Sequence, residues 1–350
     1  MEEENISRTE ISALGEFGLI DHLTADFDTY HSETIKGVGD DAAVIDAGTL
    51  FQLVSTDMLV EGIHYDLVYT PLKHLGFKSV IANLSDIYAM NGTPKQITVS
   101  ISVSNKFSVE AVTELYAGIL IACEKYKIDL IGGDTTAALQ GSCISITVLG
   151  EVEKEKITYR NGAAEKELIC VSGDLGGAFL GLQLLEREKR IFLEHPGIQP
   201  DLEGNDYLIG RQLKPEARRD VIDQLAELEI IPTSMIDISD GLASELHHLC
   251  KHSQLGCVIH EEKIPLAEET KIVSSTFRID PVSCALTGGE DYELLFTIRQ
   301  SDYDKLKTSS LVSVIGYMEN KESGLKLISK SGKVRPLTVR GWDSFENKPE

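Results

Sequence analysis

The chain is short of positive charge. Its 350 residues hold 33 Lys plus Arg against 56 Asp plus Glu, a formal net charge of −23. A field of that sign repels nucleic acid and anionic membrane surfaces, so neither is expected as a partner. A phosphate-bearing ligand would need metal ions to draw it in. Cysteine is sparse: Cys123, Cys143, Cys170, Cys250, Cys257 and Cys284 include no C-x-x-C pair. Thiols scattered through apolar runs read as small buried hydrophobes in a reducing compartment. Without a Cys or His cluster of ligand spacing, zinc is disfavoured. No apolar run approaches the length of a membrane span, and Met1 to Glu10 is acidic and polar, unlike a signal peptide. A cytoplasmic protein is expected. Standard nucleotide motifs are missing as well, with no G-x-x-x-x-G-K-[ST] and no H-R-D with D-F-G. Gly173-Asp174-Leu175-Gly176-Gly177 lacks the lysine of a P-loop and reads as a strand-to-helix turn. No nucleophilic triad stands out, since Ser172 and Ser239 have no evident base.

What the chain does have is a series of acidic turns. Gly37-Val38-Gly39-Asp40-Asp41 sets two adjacent carboxylates after two glycines, and no Lys or Arg follows within ten residues. Four more Asp-bearing turns recur: Ser55-Thr56-Asp57, Asn83-Leu84-Ser85-Asp86, Gly132-Gly133-Asp134 and Asp237-Ile238-Ser239-Asp240-Gly241. Asp beside Gly or Ser is ordinary turn chemistry taken singly. Five such turns, each at the end of an apolar run, point instead to carboxylates gathered around a cation.

The length suggests two domains. In the first half, Leu14 to His22 and Phe77 to Met90 carry apolar residues at helical spacing, and Asn83 and Asp86 share a helix face. Leu50 to Ser55 is a short strand delivering Thr56 and Asp57. Gln96 to Val103 and Ser142 to Val152 alternate as half-buried strands. Val109 to Lys125 reads as a helix and Ile128 to Ile131 as a strand. The charged stretch from Glu151 to Lys156 marks the boundary, giving domains 1–153 and 154–350. The second half repeats the grammar. Glu167 to Ser172 is a strand, a helix runs to about Arg190, and Glu194 to Asn205 is a loop. Pro215 to Leu228 and Leu242 to Cys250 are helices, and Leu294 to Thr297 and Leu311 to Tyr317 are strands. The class is α+β, with mixed α/β character, and the site is expected between two domains of related design.

Scattered Asp oxygens suit Mg²⁺ or Mn²⁺. Mg²⁺ takes one or two carboxylates per ion and completes its shell with water and phosphate. Six candidate acids (Asp41, Asp57, Asp86, Asp134, Asp237 and Asp240) could hold several ions, which suggests more than one phosphate-bearing substrate.

These residues resemble a known family. Gly15-Glu16-Phe17, Gly37–Asp41, Ser55-Thr56-Asp57 with His64, Asn83–Asp86, Gly132–Thr136, Arg160-Asn161-Gly162, Asp237–Gly241, Gly288–Glu293 and Gly341-Trp342-Asp343 are similar, in order and spacing, to the thiamine-monophosphate kinase family of the AIR-synthetase (PurM-like) superfamily. The likeness covers nearly the whole chain. It implies a two-domain PurM-like fold, with a mixed sheet in the N-terminal domain and an α/β sandwich in the C-terminal one. It implies transfer of the ATP γ-phosphoryl onto thiamine monophosphate, the last step towards thiamine diphosphate. By carry-over, Asp41, Thr56, Asp57, Asp86, Asp134 and Asp237 would ligand Mg²⁺, with Ser55 and Asp240. Gly133, Arg160, Ser239 and Tyr116 would meet ATP, near Ser55 and Asp134. His64, Glu290 and Trp342 would face the thiamine substrate. Asp57, Asp86, Asp134 and Arg160 would carry the reaction. Departures from the family pattern are Ala137-Ala138, Ala163-Ala164-Glu165-Lys166 and a long loop from Leu193 to Asn205; none removes a metal-binding Asp.

The absence of a general base fits that chemistry, because a phosphate monoester with a second pKa of about 6 is already largely ionised at neutral pH. The alternatives are another ATP-dependent enzyme of the superfamily, such as AIR synthetase, a non-catalytic nucleotide- or thiamine-phosphate-binding protein, or a metal-dependent phosphatase. A selenophosphate synthetase would want a reactive N-terminal Cys, and residues 1–122 have none. The superfamily also implies a homodimer, and Gln96–Val103 and Ser142–Val152 are read as edge strands able to pair across its two-fold axis.

Overall fold

The computed structural model describes residues 11–338. Helix α1 (Gly15–Thr24) comes first and buries none of its side chains. Strands β1 (Thr34–Lys36), β2 (Ala43–Asp46) and β3 (Leu50–Val60) follow, then α2 (Leu72–Ala89), β4 (Thr93–Ser104), α3 (Val109–Tyr126), β5 (Asp129–Ala138) and β6 (Ser142–Glu153). The six strands form one sheet in the order β1-β2-β3-β6-β4-β5. All its pairs are antiparallel except β4 with β5. The order corrects one expectation: β4 and β6, read as edges, lie in the interior, and the edges are β1 and β5. Alternation shows that one face of a strand is covered but not which strands flank it.

That alternation sorts the sheet into two faces. Leu53, Ile97, Val99, Ile144, Ile146 and Val148 point inward, each no more than 1% exposed. The opposite face carries Thr56, Met58, Ser100 and Thr147. Helices α2 and α3 cover the inner face. They cross closely because both are glycine at the contact. A Cβ on Gly76 would stand 1.9 Å from the Leu115 carbonyl oxygen, and one on Gly118 equally close to that of Lys73. Ser108 starts α3 by accepting a hydrogen bond from the Ala111 N–H.

The second sheet is built by β7 (Leu168–Ser172), β8 (Ser234–Ile238), β9 (Gly256–His260), β10 (Glu293–Ile298), β11 (Val312–Glu319), β12 (Leu325–Ile328) and β13 (Val334–Pro336), in the order β13-β12-β9-β11-β7-β10-β8. Between them run α4 (Gly177–Glu194), α5 (Asp206–Leu213), α6 (Arg219–Glu227), α7 (Leu242–Ser253), α8 (Glu268–Phe277), α9 (Pro281–Thr287) and the short α10 (Tyr303–Leu306). The expected helix from Pro215 begins only at Arg219. Helices α5 and α9 and strands β9, β12 and β13 escape a periodicity reading, being short or nearly apolar throughout, and α8 escapes it with just three apolar residues, Ile272, Val273 and Phe277.

Helix α2 joins the two halves. Fourteen of its 18 residues are buried, too many for a helix with a solvent face. One side meets β3, β4 and β6, and it also contacts β8 and α5 of the second half. A single apolar cluster therefore runs from Leu53 and Ile146 through Phe77 and Ile81 to Met235 and Phe296.

Candidate active site

Strand β3 twists towards α2 and turns Ser55 and Asp57 inward, two residues apart on the same face. The Asp57 N–H donates to Asn83 Oδ1 (3.1 Å), and the Asn83 amide donates to the Ser79 carbonyl (3.0 Å). Asn83 is fully buried; it latches the strand to the helix. Three residues on, Asp86 accepts from the Ser55 hydroxyl (2.5 Å). The second half supplies Asp237 at the end of β8, which accepts from Ser85 on α2 (2.6 Å). The turn before β2 supplies Asp41. Carboxylate oxygens of Asp41, Asp86 and Asp237 lie within 4.8 Å of one another.

One guanidinium answers them. Arg160 pairs with Asp41 at 2.7 Å, and its backbone N–H donates to Asp40 (3.1 Å). The second Asp41 oxygen is buried and has no hydrogen-bond partner. Burial, together with Asp41, pushes Asp40 up to about 6. Burial and Glu16 push Asp57 to about 6, and burial and Asp41 push Asp237 to about 8. Asp86 is raised well above the carboxylate range by burial and then by Asp57, Asp237 and Asp41. Carboxylates held this close are proton-hungry, and a divalent cation answers the same need. The donor set is all oxygen, and one buried oxygen lacks a partner. Those features fit Mg²⁺ rather than a softer metal.

The cluster lies in a cleft of about 1120 Å³ lined by both halves, including Ser239, Asp240 and Tyr292. Glu16 and Phe17 of α1 line it too, and the Phe17 ring packs on His248 of α7 with centroids 4.1 Å apart. Burial, then Arg160, pushes His248 down to about 3, so it meets Phe17 as a neutral ring. His64 lines the same cleft. Its Nδ1 accepts from the Val60 N–H (3.0 Å), which leaves the proton on Nε2. Glu290 lies on the wall in left-handed backbone (φ 67°), with Lys78 2.6 Å from one oxygen and the Gln212 amide 2.6 Å from the other.

Four expected residues are not gathered there. The Thr56 side chain points to the opposite face of the sheet, where its hydroxyl lies 3.1 Å from both the Ile146 carbonyl and the Thr147 hydroxyl. Consecutive strand residues cannot share a face, so Ser55 and Asp57 exclude it. Asp134 is exposed on edge strand β5, opposite Ser100 and three strands from β3. Gly133 lies against β4, where a Cβ would meet the Val99 carbonyl oxygen at 1.8 Å. Tyr116 is half-buried on α3 against the apolar cluster. Trp342 lies outside the described residues.

Several neighbours were not singled out from sequence. Lys78, Gln212 and Glu245 bear directly on the site, as does Ser85, which the sequence offered only within the Asn83–Asp86 motif. Lys78, Ala82 and Asp86 follow an i, i+4, i+8 row on α2, a signal the apolar surroundings obscured. Glu245 is buried on α7 and accepts from the Asp240 N–H (2.9 Å). The glycine turn before α4 is closed to phosphate. Asp291 accepts from the Gly176 (2.7 Å) and Ala178 (3.3 Å) N–H groups, filling the place an anion would take.

Models of the AIR synthase related protein family match residues 39–152 with its N-terminal domain and 168–330 with its C-terminal domain. A thiamine-monophosphate kinase of Buchnera aphidicola subsp. Schizaphis graminum is 37% identical over 91% of this chain and 95% of that protein. One of Bacillus subtilis is 31% identical over 95% of this chain and the whole of that protein. A solved structure described as AaThiL complexed with AMPPCP and TMP superposes with a TM-score of 0.81, at 32% identity, covering 96% of this chain and 99% of that one. The chain belongs to the AIR synthase related protein family, as a member of its thiamine-monophosphate kinase branch.

Proposed function

We propose that this enzyme transfers the γ-phosphoryl group of ATP to the phosphate of thiamine monophosphate, releasing thiamine diphosphate and ADP. The observation that carries this reading is the meeting of Asp41, Asp86 and Asp237 from both halves within 4.8 Å. It occurs in a cleft large enough for two phosphate-bearing molecules. The family's kinases and the neighbour bound to AMPPCP, a non-hydrolysable ATP analogue, and TMP support the same reaction.

Phosphoryl transfer asks for position and charge balance more than for covalent help. Asp41, Asp57, Asp86 and Asp237 would hold Mg²⁺, with Ser55 and Asp240 beside them. Mg²⁺ bound there supplies the charge neutralisation that lets two polyanions approach. Arg160 holds Asp41 in place and presents the site's guanidinium to the nucleotide phosphates. Ser239 faces the same space. The acceptor phosphate needs no base. His64, with Nε2 carrying the proton, donates to the acceptor substrate, and Glu290 accepts from it. Phe17 and α1 cover one side of the cleft and limit water.

A homodimer is part of the proposal. Thr56, Met58, Ser100 and Asp134 lie on the outer face or edge of the first sheet, and Met58 is 57% exposed. A second copy seated there gives Thr56, Gly133 and Asp134 a ligand-binding role that the cleft of their own chain does not. Cytoplasmic location is proposed as well; the six cysteines are free thiols, five of them buried.

The test is an ATP turnover assay with thiamine monophosphate and Mg²⁺, the products resolved by chromatography. Thiamine diphosphate and ADP should form in equal amounts, and Asp86→Asn should abolish both. ATP binding without diphosphate formation would overturn the proposal.

A further inference from the structure

Glu290 is clamped by two buried side chains from different helices. Lys78 reaches it from α2 at 2.6 Å and is itself only 3% exposed. The Gln212 amide nitrogen reaches its other oxygen from α5 at 2.6 Å, and Gln212 is 4% exposed. A carboxylate only accepts, so this contact fixes which way the Gln212 amide faces. The backbone adds a third restraint, since the Glu290 N–H donates to the Ser239 carbonyl (2.7 Å). The carboxylate is thus paired with one buried lysine and restrained from three sides. Each oxygen keeps a lone pair not used by its clamp.

Lys78 and Asp86 stand two turns apart on α2, about 12 Å along its axis. Asp86 belongs to the carboxylate cluster, and Lys78 pairs with Glu290. So paired, Glu290 is a poor counter-ion for a cationic ring, because Lys78 already balances its charge. It is a good partner for an uncharged N–H donor.

We propose that Lys78 and Gln212 are positioning residues that set Glu290 as a neutralised hydrogen-bond acceptor for the exocyclic amine of the substrate's aminopyrimidine, and so determine specificity for the amine. This rests on the kinase reading above, in which the acceptor substrate is thiamine monophosphate.

The experiment compares thiamine monophosphate with the analogue whose exocyclic amine is replaced by a carbonyl oxygen, an acceptor facing an acceptor. Wild type should prefer the amine in kcat/KM by at least about 100-fold, since a site built to accept an N–H rejects the analogue lacking it. Gln212→Leu and Lys78→Met should each reduce that preference at least about tenfold, through KM for the acceptor, with KM for ATP unchanged. Lys78→Arg should restore most of it. Melting temperature and KM for ATP report whether each variant is folded, and Gln212→Leu alone decides the matter if Lys78→Met does not fold. Turnover of thiamine monophosphate with no preference for the amine, or a preference untouched in folded variants, overturns the clamp and leaves the kinase reading standing. Absence of any turnover in wild type defeats the kinase reading, and the clamp falls with it.

Discussion

Replacing Asp57 by Asn should make the metal-free protein more stable while destroying its activity. Asp57 lines the cleft beside Asp86, and burial with Glu16 moves it from an ordinary 3.8 to about 6. At 1.36 kcal/mol per unit, ionising it inside the fold costs about 3 kcal/mol at neutral pH. The unfolded chain releases this proton near pH 4 and the folded chain near 6. Folded protein therefore binds more protons in between, and stability falls as pH rises through that window and stays low above it. Asn keeps the shape and removes the charge. With an unfolding entropy of about 2.1 cal/mol/K per residue, about 3 kcal/mol corresponds to a rise of about 4 °C in Tm for a chain of this size. The assay is thermal melting in chelator at pH 7.5 and pH 4.5. The variant's advantage should be about 3 kcal/mol at the higher pH and shrink to about 1 kcal/mol at the lower, from the same linkage. Saturating Mg²⁺ should reverse the order, because wild type alone keeps the full ligand set. A metal-free variant no more stable than wild type at pH 7.5 would refute the reasoning: Asp57 would then not ionise at a cost in the fold.

Arg160→Met removes the cation paired with Asp41 and leaves a buried carboxylate unanswered, so metal-free stability should fall by about 3 kcal/mol and KM for ATP should rise; an unchanged melt and KM would show the pair to be incidental. Gly118→Ala drives a Cβ into the Lys73 carbonyl and should cost about 3 kcal/mol or more by urea denaturation, with α2 and α3 forced apart. Met58→Lys on the outer sheet face should lower the mass in solution to that of one chain, measured by light scattering; a mass equal to wild type's at two chains would move the dimer contact elsewhere.

The Asp-bearing segments were legible in the sequence because each is a local pattern, but three of the five expected turns are not turns: Asp57 lies within β3, Asp86 within α2 and Asp134 within β5. Period-2 alternation marked β4 and β6, and helical spacing marked α2. Even the separation of Thr56 from Ser55 and Asp57 is contained in the strand period, although the family likeness groups all three. Spacing alone could not say that β5 is an edge strand carrying Asp134 away from its own cleft, because strand order depends on long-range pairing. Nor could it show that Asp291 caps α4 while its neighbour Glu290 faces the cleft; a left-handed turn at Glu290 separates their directions. Nothing in its local pattern marks Lys78 as a buried residue. Only the sandwiching of α2 between the two halves buries it and gives it Glu290, more than two hundred positions away, as its partner. Composition and local pattern determined which elements form and that carboxylates would gather; which of them meet was decided by packing, because contact between distant residues is a property of the whole core.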